Sequence, residues 1–295
     1  MTAKGINSET EVFLQLRPRL IAVAYRMLGS VADSEDILQE AYLRWQRVDH
    51  DTVLDPTGYL VRVTTRLCLD QLKSARVRRE AYTGAWLPDP VLTENPIELL
   101  DQDVTVALLL ALDRLSPLER AAFLLHDIFD GSYGEIAETL NRTPEACRQL
   151  AARARRKVRQ KPQRRLERSA QGMALAEAFF KASKTGDTSA LGQLLAADVE
   201  LISDGGGKVI AALNPIYGAD RVTRLLEGVA RKAGGTLPAQ WRLCQLNGLP
   251  GVVNRAEDGV LETAAFEIRD GRIWRIYVTR NPEKTPHLEG VLTGH

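Results

Sequence analysis

Reactive and metal-binding residues are scarce in this sequence of 295 residues. The three cysteines, Cys68, Cys147 and Cys244, lie far apart and form no CxxC pair, so neither a zinc site nor a disulfide framework is predicted. The four histidines are not spaced as metal ligands on one element, and the motifs GxGxxG, HExxH and GxSxG do not occur. From these patterns we predict no metal, no cofactor and no catalytic residue.

Long apolar segments are missing as well. The run at residues 106–112, VALLLAL, is far too short to span a bilayer, and the first ten residues lack the apolar core of a signal peptide. The few, scattered cysteines suit a reducing compartment. We therefore expect a cytoplasmic protein with no membrane partner.

The length and the charge distribution indicate several domains with different partners. A chain of 295 residues is long enough for two or three domains, each with its own core. The net charge is only +1, but residues 151–168 hold nine Lys or Arg against one Glu. This cluster predicts a basic surface on one part of the chain.

The pattern at residues 130–159 is that of two short helices joined by a tight turn. Ser132 and Glu135 have capping-box spacing, and Thr143-Pro144 opens the second helix. Steps of 100° per residue place Arg and Gln side chains on one face of that helix and an apolar stripe on the other. The apolar stripe consists of Cys147, Leu150, Ala151, Ala154 and Val158. This favours a helix-turn-helix that reads the DNA major groove, although a solvated basic helix in a bundle would share the pattern.

Helical periodicity over residues 10–28, about 33–48 and 56–79 predicts three helices in the first 80 residues. The second helix has a core stripe at Ile37, Ala41 and Trp45. Its polar face carries Asp36, Gln39 and Glu40. Acidic residues at a helix start also compensate the helix macrodipole, so a purely local role is the alternative.

The third helix predicts a second basic surface. It buries Leu60, Val63 and Leu67 and exposes a set of cations. These are Arg62, Arg66, Lys73, Arg76, Arg78 and Arg79. The segment that follows, to about residue 95, is rich in Gly and Pro and predicts a linker. Within it, the WLPDP motif contains Trp86 and Pro88, and an aromatic ring in a linker is expected to dock on a neighbouring domain.

After residue 168 the pattern changes to that of an α+β domain. Helices near 173–182, 188–197 and 220–231 accompany a strand at 199–203 and four later strand-like runs with Asp-Gly turns. A curved sheet over helices is expected, with a mouth suited to a small ligand. The DGGGK run at 204–208 fails as a P-loop, because Val209 stands where a Ser or Thr would bind magnesium. Asp204 is placed like a general base, but turn chemistry explains the same residues.

The helical segments together resemble the extracytoplasmic-function group of sigma-70 RNA polymerase sigma factors. The pieces that carry the resemblance are ADSEDILQEAYLRWQRV, PTGYLVRVTTRLCLDQLKSARVRR and the run from LDRLSPLERAAF to AARARRKVR. Their order and spacing match the family helices that bind the polymerase clamp, the promoter minus-ten element and the minus-thirty-five element. The implied domains are 8–80 (sigma domain 2), 81–96 (linker), 97–165 (sigma domain 4) and 169–295.

The resemblance implies a role for each surface. Asp36, Gln39 and Glu40 would bind RNA polymerase core, at its beta-prime and beta subunits. Arg62, Arg66, Lys73 and Arg76 would contact promoter DNA, with the loop at 50–55 capturing an unstacked base. The second site on DNA would use Thr143, Glu145, Arg148, Gln149, Arg153, Arg155, Arg156 and Arg159. Among these, Arg148, Gln149 and Arg153 are the base readers and Arg155, Arg156 and Arg159 the phosphate contacts.

Residues 169–295 resemble the NTF2-like or SnoaL-like fold. WLPDP, DGGGK and the NPEK motif at 281–284 look like signatures of the sigma factor group that carries this extension, in which it is thought to regulate the sigma domains in cis. The candidate residues for that interface are Trp86, Pro88, Asp204, Lys208, Asn281 and Lys284. An active isomerase or cyclase fused to a DNA-binding module, and a one-component regulator without polymerase contact, are the alternatives.

Overall fold

The computed structural model describes residues 3–80, 82–93, 105–159 and 170–293. The chain divides into two compact units, each described by itself. The helical unit comprises Met1–Glu80 and Asn95–Pro162, and the sheet unit comprises Ala81–Glu94 and Gln163–His295. The linker segment thus groups with the C-terminal unit.

Three long helices form the first part of the helical unit: α1 (Ala3–Leu28), α2 (Val31–Arg47) and α3 (Pro56–Glu80). Ser30 caps α2, accepting a hydrogen bond from the Asp33 amide (3.3 Å). Because of this cap, α2 begins two residues before the start predicted at Asp33. Trp45 is buried, and its Nε1 donates to the Glu9 carbonyl of α1 (2.9 Å).

The second part of the helical unit contains α4 (Val106–Asp113), α5 (Pro117–Phe123), α6 (Tyr133–Leu140) and α7 (Pro144–Arg159). The sequence predicts one helix from Ser116 to about Phe129. Instead, α5 ends at Phe123 and a π-turn follows at Leu124–Ile128, where the Leu124 carbonyl accepts from the Phe129 amide (3.1 Å). Helical periodicity also predicts a helix over residues 97–115, of which residues 97–104 lie outside the described residues.

Arg120 of α5 connects the two parts of the helical unit. Its buried guanidinium donates to the carbonyls of Met27 (2.6 Å) and Leu112 (2.8 Å) and to the Asp113 carboxylate (3.0 Å). Burial lowers the pKa of Arg120 to about 10, so it stays charged at neutral pH. A charged group held by the carboxyl end of α1 fixes α5 against that end.

Helices and strands of the sheet unit follow each other as α8 (Ala170–Thr185), α9 (Thr188–Leu194), β1 (Leu195–Asp204), β2 (Ile216–Tyr217), α10 (Ala219–Lys232), β3 (Trp241–Leu246), β4 (Leu249–Arg255), β5 (Leu261–Arg269), β6 (Arg272–Thr279) and α11 (Glu289–Thr293). The strand order is β2-β1-β6-β5-β4-β3. Among the described strands only the β1–β6 pair is parallel, and β3 to β6 form the predicted antiparallel meander. Gly259 and Asp270 have positive φ at the two predicted Asp-Gly turns.

Both faces of this sheet are covered. On one face, α8, α9 and α10 enclose a core that contains Phe179, Phe180, Leu191, Val222 and Phe266. Consecutive residues along β4 and β5 are buried, so the other face is covered too; Leu92 forms a β-bridge with Leu246 at the free edge of β3, and α11 contacts β3 and β4. The linker is therefore part of the folded sheet unit.

The predicted fold class is confirmed: helical segments are followed by an α+β domain with a single sheet. Across the described ranges, no helix combines the length and the apolar character needed to cross a membrane. All three cysteines are buried and free of disulfides.

Candidate functional site

The polar face of α2 carries the three residues predicted to bind polymerase. Asp36 and Gln39 are exposed, whereas Glu40 forms an i,i+4 ion pair with Arg44 (2.8 Å). The opposite stripe, Ile37, Ala41 and Trp45, is buried as predicted. The helix therefore exposes carboxylate and amide side chains on one face, while its opposite, apolar face is buried in the helical unit.

The described cations predicted on α3 form contacts within the helical unit. Arg66 donates through Nε to the Thr139 carbonyl (3.0 Å) and through Nη2 to the Glu138 carbonyl (2.7 Å), at the carboxyl end of α6. Arg62 lies 3.3 Å from the Glu138 carboxylate. Lys73 is exposed and pairs with Asp70 (2.7 Å). The side chain of Arg76 lies outside the described part of the chain.

The loop between α2 and α3 was predicted to capture a base. It contains a short 3₁₀ turn at His50–Thr52, and the His50 ring packs edge-on against Trp45 with centroids 4.2 Å apart. Leu54 is 98% exposed. The loop thus exposes the Leu54 side chain almost fully to solvent, while the His50 ring at its start packs against Trp45.

The helix-turn-helix has the local structure that its sequence predicts. Ser132 and Glu135 form a complete capping box at the start of α6, and Asn141 ends that helix with φ of 51°. Thr143 caps α7 by accepting from the Ala146 amide (3.2 Å). The predicted apolar stripe is buried at Cys147, Leu150, Ala151 and Ala154. The arginines of α7 whose side chains are described, at 148, 153, 155 and 156, consequently point away from the core.

The predicted DNA-binding residues of α7 fall into groups with different surroundings. Gln149 and Arg156 are exposed. Arg148 is exposed and lies 3.2 Å from Glu145. Arg153 and Lys157 lie 3.5 Å and 2.7 Å from the buried Glu119. Arg155 is bound to Asp127 (2.6 Å). The side chain of Arg159 is not among those described.

In the sheet unit, Asp204 joins the linker to the sheet. Its Oδ1 accepts from the Tyr82 hydroxyl (2.5 Å) and the Gly206 amide (3.0 Å), and its Oδ2 accepts from the Leu87 amide (2.9 Å) and Lys284 Nζ (2.8 Å). Asp204 is fully buried. Burial and then the bond to Asp204 raise the pKa of Tyr82, which keeps the phenol protonated as a donor.

Asn281 and Lys284 of the NPEK motif complete this arrangement. Asn281 is buried and its Nδ2 donates to the Tyr82 hydroxyl (2.8 Å). Lys284 donates to the Leu87 carbonyl, and its Nζ lies 4.4 Å from the centroid of the Trp86 ring. We call Tyr82, Asp204, Asn281 and Lys284 the Asp204 cluster. The DGGGK and NPEK motifs therefore meet on the linker.

The glycines of DGGGK permit this close approach. Gly206 has φ of 63°, and an added Cβ would lie 2.3 Å from the side chain of Asn281. Gly207 has φ of 70°, and a Cβ added there would lie 3.0 Å from the side chain of Thr83 in the linker. Any side chain here would be strained and would displace a neighbour. Lys208 is on the surface, paired with Glu283.

Farther along the linker, Pro90 and Val91 are held by residues that the sequence analysis did not single out for binding. His287 Nε2 lies 2.7 Å from the Pro90 carbonyl, and Asn247 exchanges hydrogen bonds with Val91 (2.8 and 3.2 Å). Pro88, Leu87 and Val91 are buried. The prediction that WLPDP docks on folded structure is thus confirmed within the sheet unit. No sequence motif marks these contacts, because Tyr82, Asn247 and His287 each bind a residue more than 100 positions away in the chain.

The position of Asp204 does not favour the general-base alternative. Leu201 belongs to the core beneath the helices, and Asp204 follows it by three residues on the same strand, so the alternation of side chains places Asp204 on the other face. Its two oxygens accept four hydrogen bonds there. A base must be free to take a proton from a substrate, and this carboxylate is committed to the linker.

Two family matches cover most of the helical unit. Sigma-70 region 2 matches residues 12–78, and sigma-70 region 4 matches residues 105–158. The helices α1 to α3 lie within or overlap the first match. The helix-turn-helix lies in the second.

Relatives extend the likeness to the whole chain. The ECF RNA polymerase sigma factor SigJ of Mycobacterium tuberculosis (strain ATCC 25618 / H37Rv) is 38% identical over 94% of this chain and 93% of its own length. The ECF RNA polymerase sigma factor SigE of Mycolicibacterium smegmatis is 34% identical over 52% of this chain and 62% of its own. The crystal structure of the M. tuberculosis extracytoplasmic function sigma factor SigJ matches with a TM-score of 0.77 and 34% identity, over 94% of this chain and 98% of that one.

These matches favour transcription initiation over the fused-isomerase alternative. The chain belongs to the extracytoplasmic-function RNA polymerase sigma factors.

Proposed function

We propose that this protein brings RNA polymerase core to a two-part promoter, and that its sheet unit regulates this in cis. The proposed domains are those implied by the sequence: 8–80, 81–96, 97–165 and 169–295. The observation that carries the proposal is the presence of two exposed surfaces of different character. One is an acidic face on α2, and the other is a face of Arg and Gln side chains on α7. The first surface suits a basic protein partner and the second suits DNA.

Asp36 and Gln39, with Glu40, form the proposed contact with the beta-prime and beta subunits of the polymerase core. Glu40 can exchange its exposed pairing with Arg44 for a polymerase cation at little cost, because exposed ion pairs are worth less than about 1 kcal/mol. Replacing Asp36 and Glu40 by Lys should abolish core binding. It should not weaken binding of isolated DNA, because both residues lie outside the proposed DNA-binding surfaces and the added positive charge favours DNA.

On DNA, we assign base contacts to Arg148, Gln149 and Arg153 and phosphate contacts to Arg156 and Arg159, with Thr143 and Glu145 at the start of α7 completing the surface. On α3, Arg62, Arg66, Lys73 and Arg76 are the proposed contacts near the melted element. Arg62 and Arg66 contact α6, so they must exchange Glu138 and the α6 carbonyls for phosphates. Arg155 is the weakest phosphate candidate because Asp127 already holds it.

Regulation in cis is proposed to act through the linker, since the Asp204 cluster binds residues 82–87. Trp86→Ala removes the ring beside Lys284. We expect this variant to change promoter output more than the thermal midpoint. An equal loss of both would indicate plain packing. The sheet unit is proposed to act without catalysis, and a small ligand at the mouth of the sheet stays a prediction from the fold class.

The experiment that tests the proposal is transcription by core polymerase with the full chain. A promoter selected from random DNA by the purified holoenzyme serves as template. We expect initiation at one defined start, and none with the Asp36→Lys and Glu40→Lys variant. Failure of the full chain to start transcription from any selected sequence would contradict the proposed function.

A further inference from the structure

Tyr133, in the first turn of α6, contacts two arginines of α7. Its hydroxyl accepts a hydrogen bond from Nη2 of Arg155 (3.0 Å). Its ring centroid lies 5.4 Å from Cζ of Arg148, within the range of a cation–π contact. Its spacing from Ile136 and Leu140 in the sequence predicts only a place on the apolar face of α6. In the structure it is the shared partner of Arg148 and Arg155.

The π-turn supplies a second support for Arg155. Asp127, within Leu124–Ile128, accepts from Arg155 Nε (2.6 Å), and the neighbouring His126 ring packs on Tyr133 with centroids 4.1 Å apart. His126 Nδ1 lies 2.9 Å from the Gly131 carbonyl, which holds the turn in place. The widened turn thus places a carboxylate against Arg155 of α7 and an aromatic ring against Tyr133 of α6.

Arg148 and Arg155 are two helical turns apart and share that flank, but they are held differently. The Arg155 side chain is 29% exposed and is held by a carboxylate and a phenol. Its bonds to Asp127 and Tyr133 raise the pKa of Arg155, so it remains charged. The Arg148 side chain is 56% exposed. Its guanidinium lies over the ring and 3.2 Å from Glu145, whose side chain is itself 72% exposed.

These surroundings have opposite consequences for DNA binding. Arg155 must give up its bond to a carboxylate that is only 23% exposed before it can contact a phosphate, whereas the exposed pair of Arg148 with Glu145 is worth less than about 1 kcal/mol. An exposed arginine that rests on an aromatic face has fewer rotamers to lose when it binds a base edge. Arg155 is therefore suited to support the helix, and Arg148 to read a base.

We propose that Tyr133 is a positioning residue for promoter recognition: its ring orients Arg148 toward a base, and its hydroxyl, with Asp127, retains Arg155 as a support of α7. The inference rests on the proposed function, because Arg148 must read a base for Tyr133 to matter. It also replaces the phosphate contact predicted for Arg155.

The test uses holoenzyme made from the full chain and a promoter that the wild-type holoenzyme selects from random DNA. Affinity is measured for this promoter and for each single-base substitution in its upstream element. Arg148→Ala should reduce the ratio of affinities for the selected base and for the other bases about tenfold at one promoter position, and this ratio is called discrimination below. Tyr133→Leu should reduce discrimination at that same position about fivefold, and should add nothing in the Arg148→Ala background.

Two conservative variants separate positioning from general packing. Tyr133→Trp keeps an aromatic face and should retain discrimination. Tyr133→Phe keeps the ring and should also retain it while releasing one bond to Arg155. A further arm does not depend on any Tyr133 variant folding. Arg156→Ala should lower the slope of log affinity against log salt by about one, whereas Arg155→Ala should lower it by less than about half of that.

The proposal is overturned if Tyr133→Leu weakens every sequence alike, if it relaxes a position other than that of Arg148, or if its effect adds fully to that of Arg148→Ala. An equal fall of the salt slope for Arg155→Ala and Arg156→Ala also overturns it. If the wild-type holoenzyme selects no sequence at all, the proposed function fails instead.

Discussion

At the scale of single residues, Asp204 and Lys284 form the most consequential pair in the sheet unit. Both side chains are buried, and Nζ lies 2.8 Å from Oδ2. A buried pair is costly to break, because removing one partner leaves the other charge without compensation. The amides of Gly206 and Leu87 and the Tyr82 hydroxyl soften this cost but carry no charge.

Lys284→Met is expected to lower the free energy of unfolding of the sheet unit by about 3 kcal/mol. Lys208→Met, which removes an exposed ion pair with Glu283, serves as the matched control and should cost less than about 1 kcal/mol. Urea unfolding followed by tryptophan fluorescence measures both. Equal losses in the two variants would contradict the assigned importance of the Asp204 cluster.

At the scale of elements, Glu119 joins α5 to α7. It closes the capping box of α5 and pairs with Lys157 (2.7 Å) and Arg153 (3.5 Å). Burial alone would raise the pKa of Glu119, but the hydrogen bonds from Lys157 and Ser116 outweigh it and lower the pKa from 4.5 to about 2. Since the folded pKa lies below the unfolded one, this stabilisation is complete above about pH 4.5 and is lost as the pH falls toward 2.

Glu119→Gln keeps the capping geometry and removes the charge. We expect it to cost about 2 kcal/mol at neutral pH, less than the full pKa shift implies because Lys157 is half exposed. The difference from wild type should shrink as the pH falls from about 7 to about 3. Urea midpoints at both pH values measure it. A difference independent of pH would show that the carboxylate charge is not the cause.

A second prediction at this scale concerns the contact between α3 and α6. Arg66 donates to two carbonyls at the carboxyl end of α6, where a positive charge is favoured. Arg66→Met should therefore lower stability by about 1 kcal/mol. Lys73→Met, also on α3 but paired only with the exposed Asp70 among its described contacts, should leave the thermal midpoint nearly unchanged. If both variants melt alike, the α6 contact contributes nothing.

At the scale of the whole molecule, the linker depends on the sheet for its own burial. Leu87 and Val91 are 1% and 3% exposed because the strands and the C-terminal segment cover them. A chain that ends after residue 168 loses that cover and presents both side chains to water. We expect such a truncation to bind a hydrophobic dye strongly and to aggregate.

The matched control is the same truncation with Leu87→Ser and Val91→Ser, which should reduce dye binding several-fold. Light scattering and dye fluorescence measure the two chains side by side. Unchanged dye binding would mean that other apolar surface is responsible. The control also matters for tests of regulation. Without it, a change in the activity of the truncated chain could come either from loss of the sheet or from exposure of the linker.

Much of the fold follows from local pattern. The caps at Ser132 and Thr143, the buried stripe of α7 and the Asp-Gly turns depend on residues within one or two turns of each other, so the sequence predicts them directly. The π-turn after Phe123 escaped prediction because helical periodicity does not distinguish it from a continuing α-helix.

The sequence by itself determined most of the elements and which face of each is polar, because periodicity and capping are properties of neighbouring residues. Only the tertiary structure decided what those polar faces touch. Tyr82 and Asp204 meet across 122 positions, and Arg66 and Glu138 across 72. Such contacts arise from the way whole elements pack, so no local pattern could show that Asp204 binds the linker or that Arg155 supports α7.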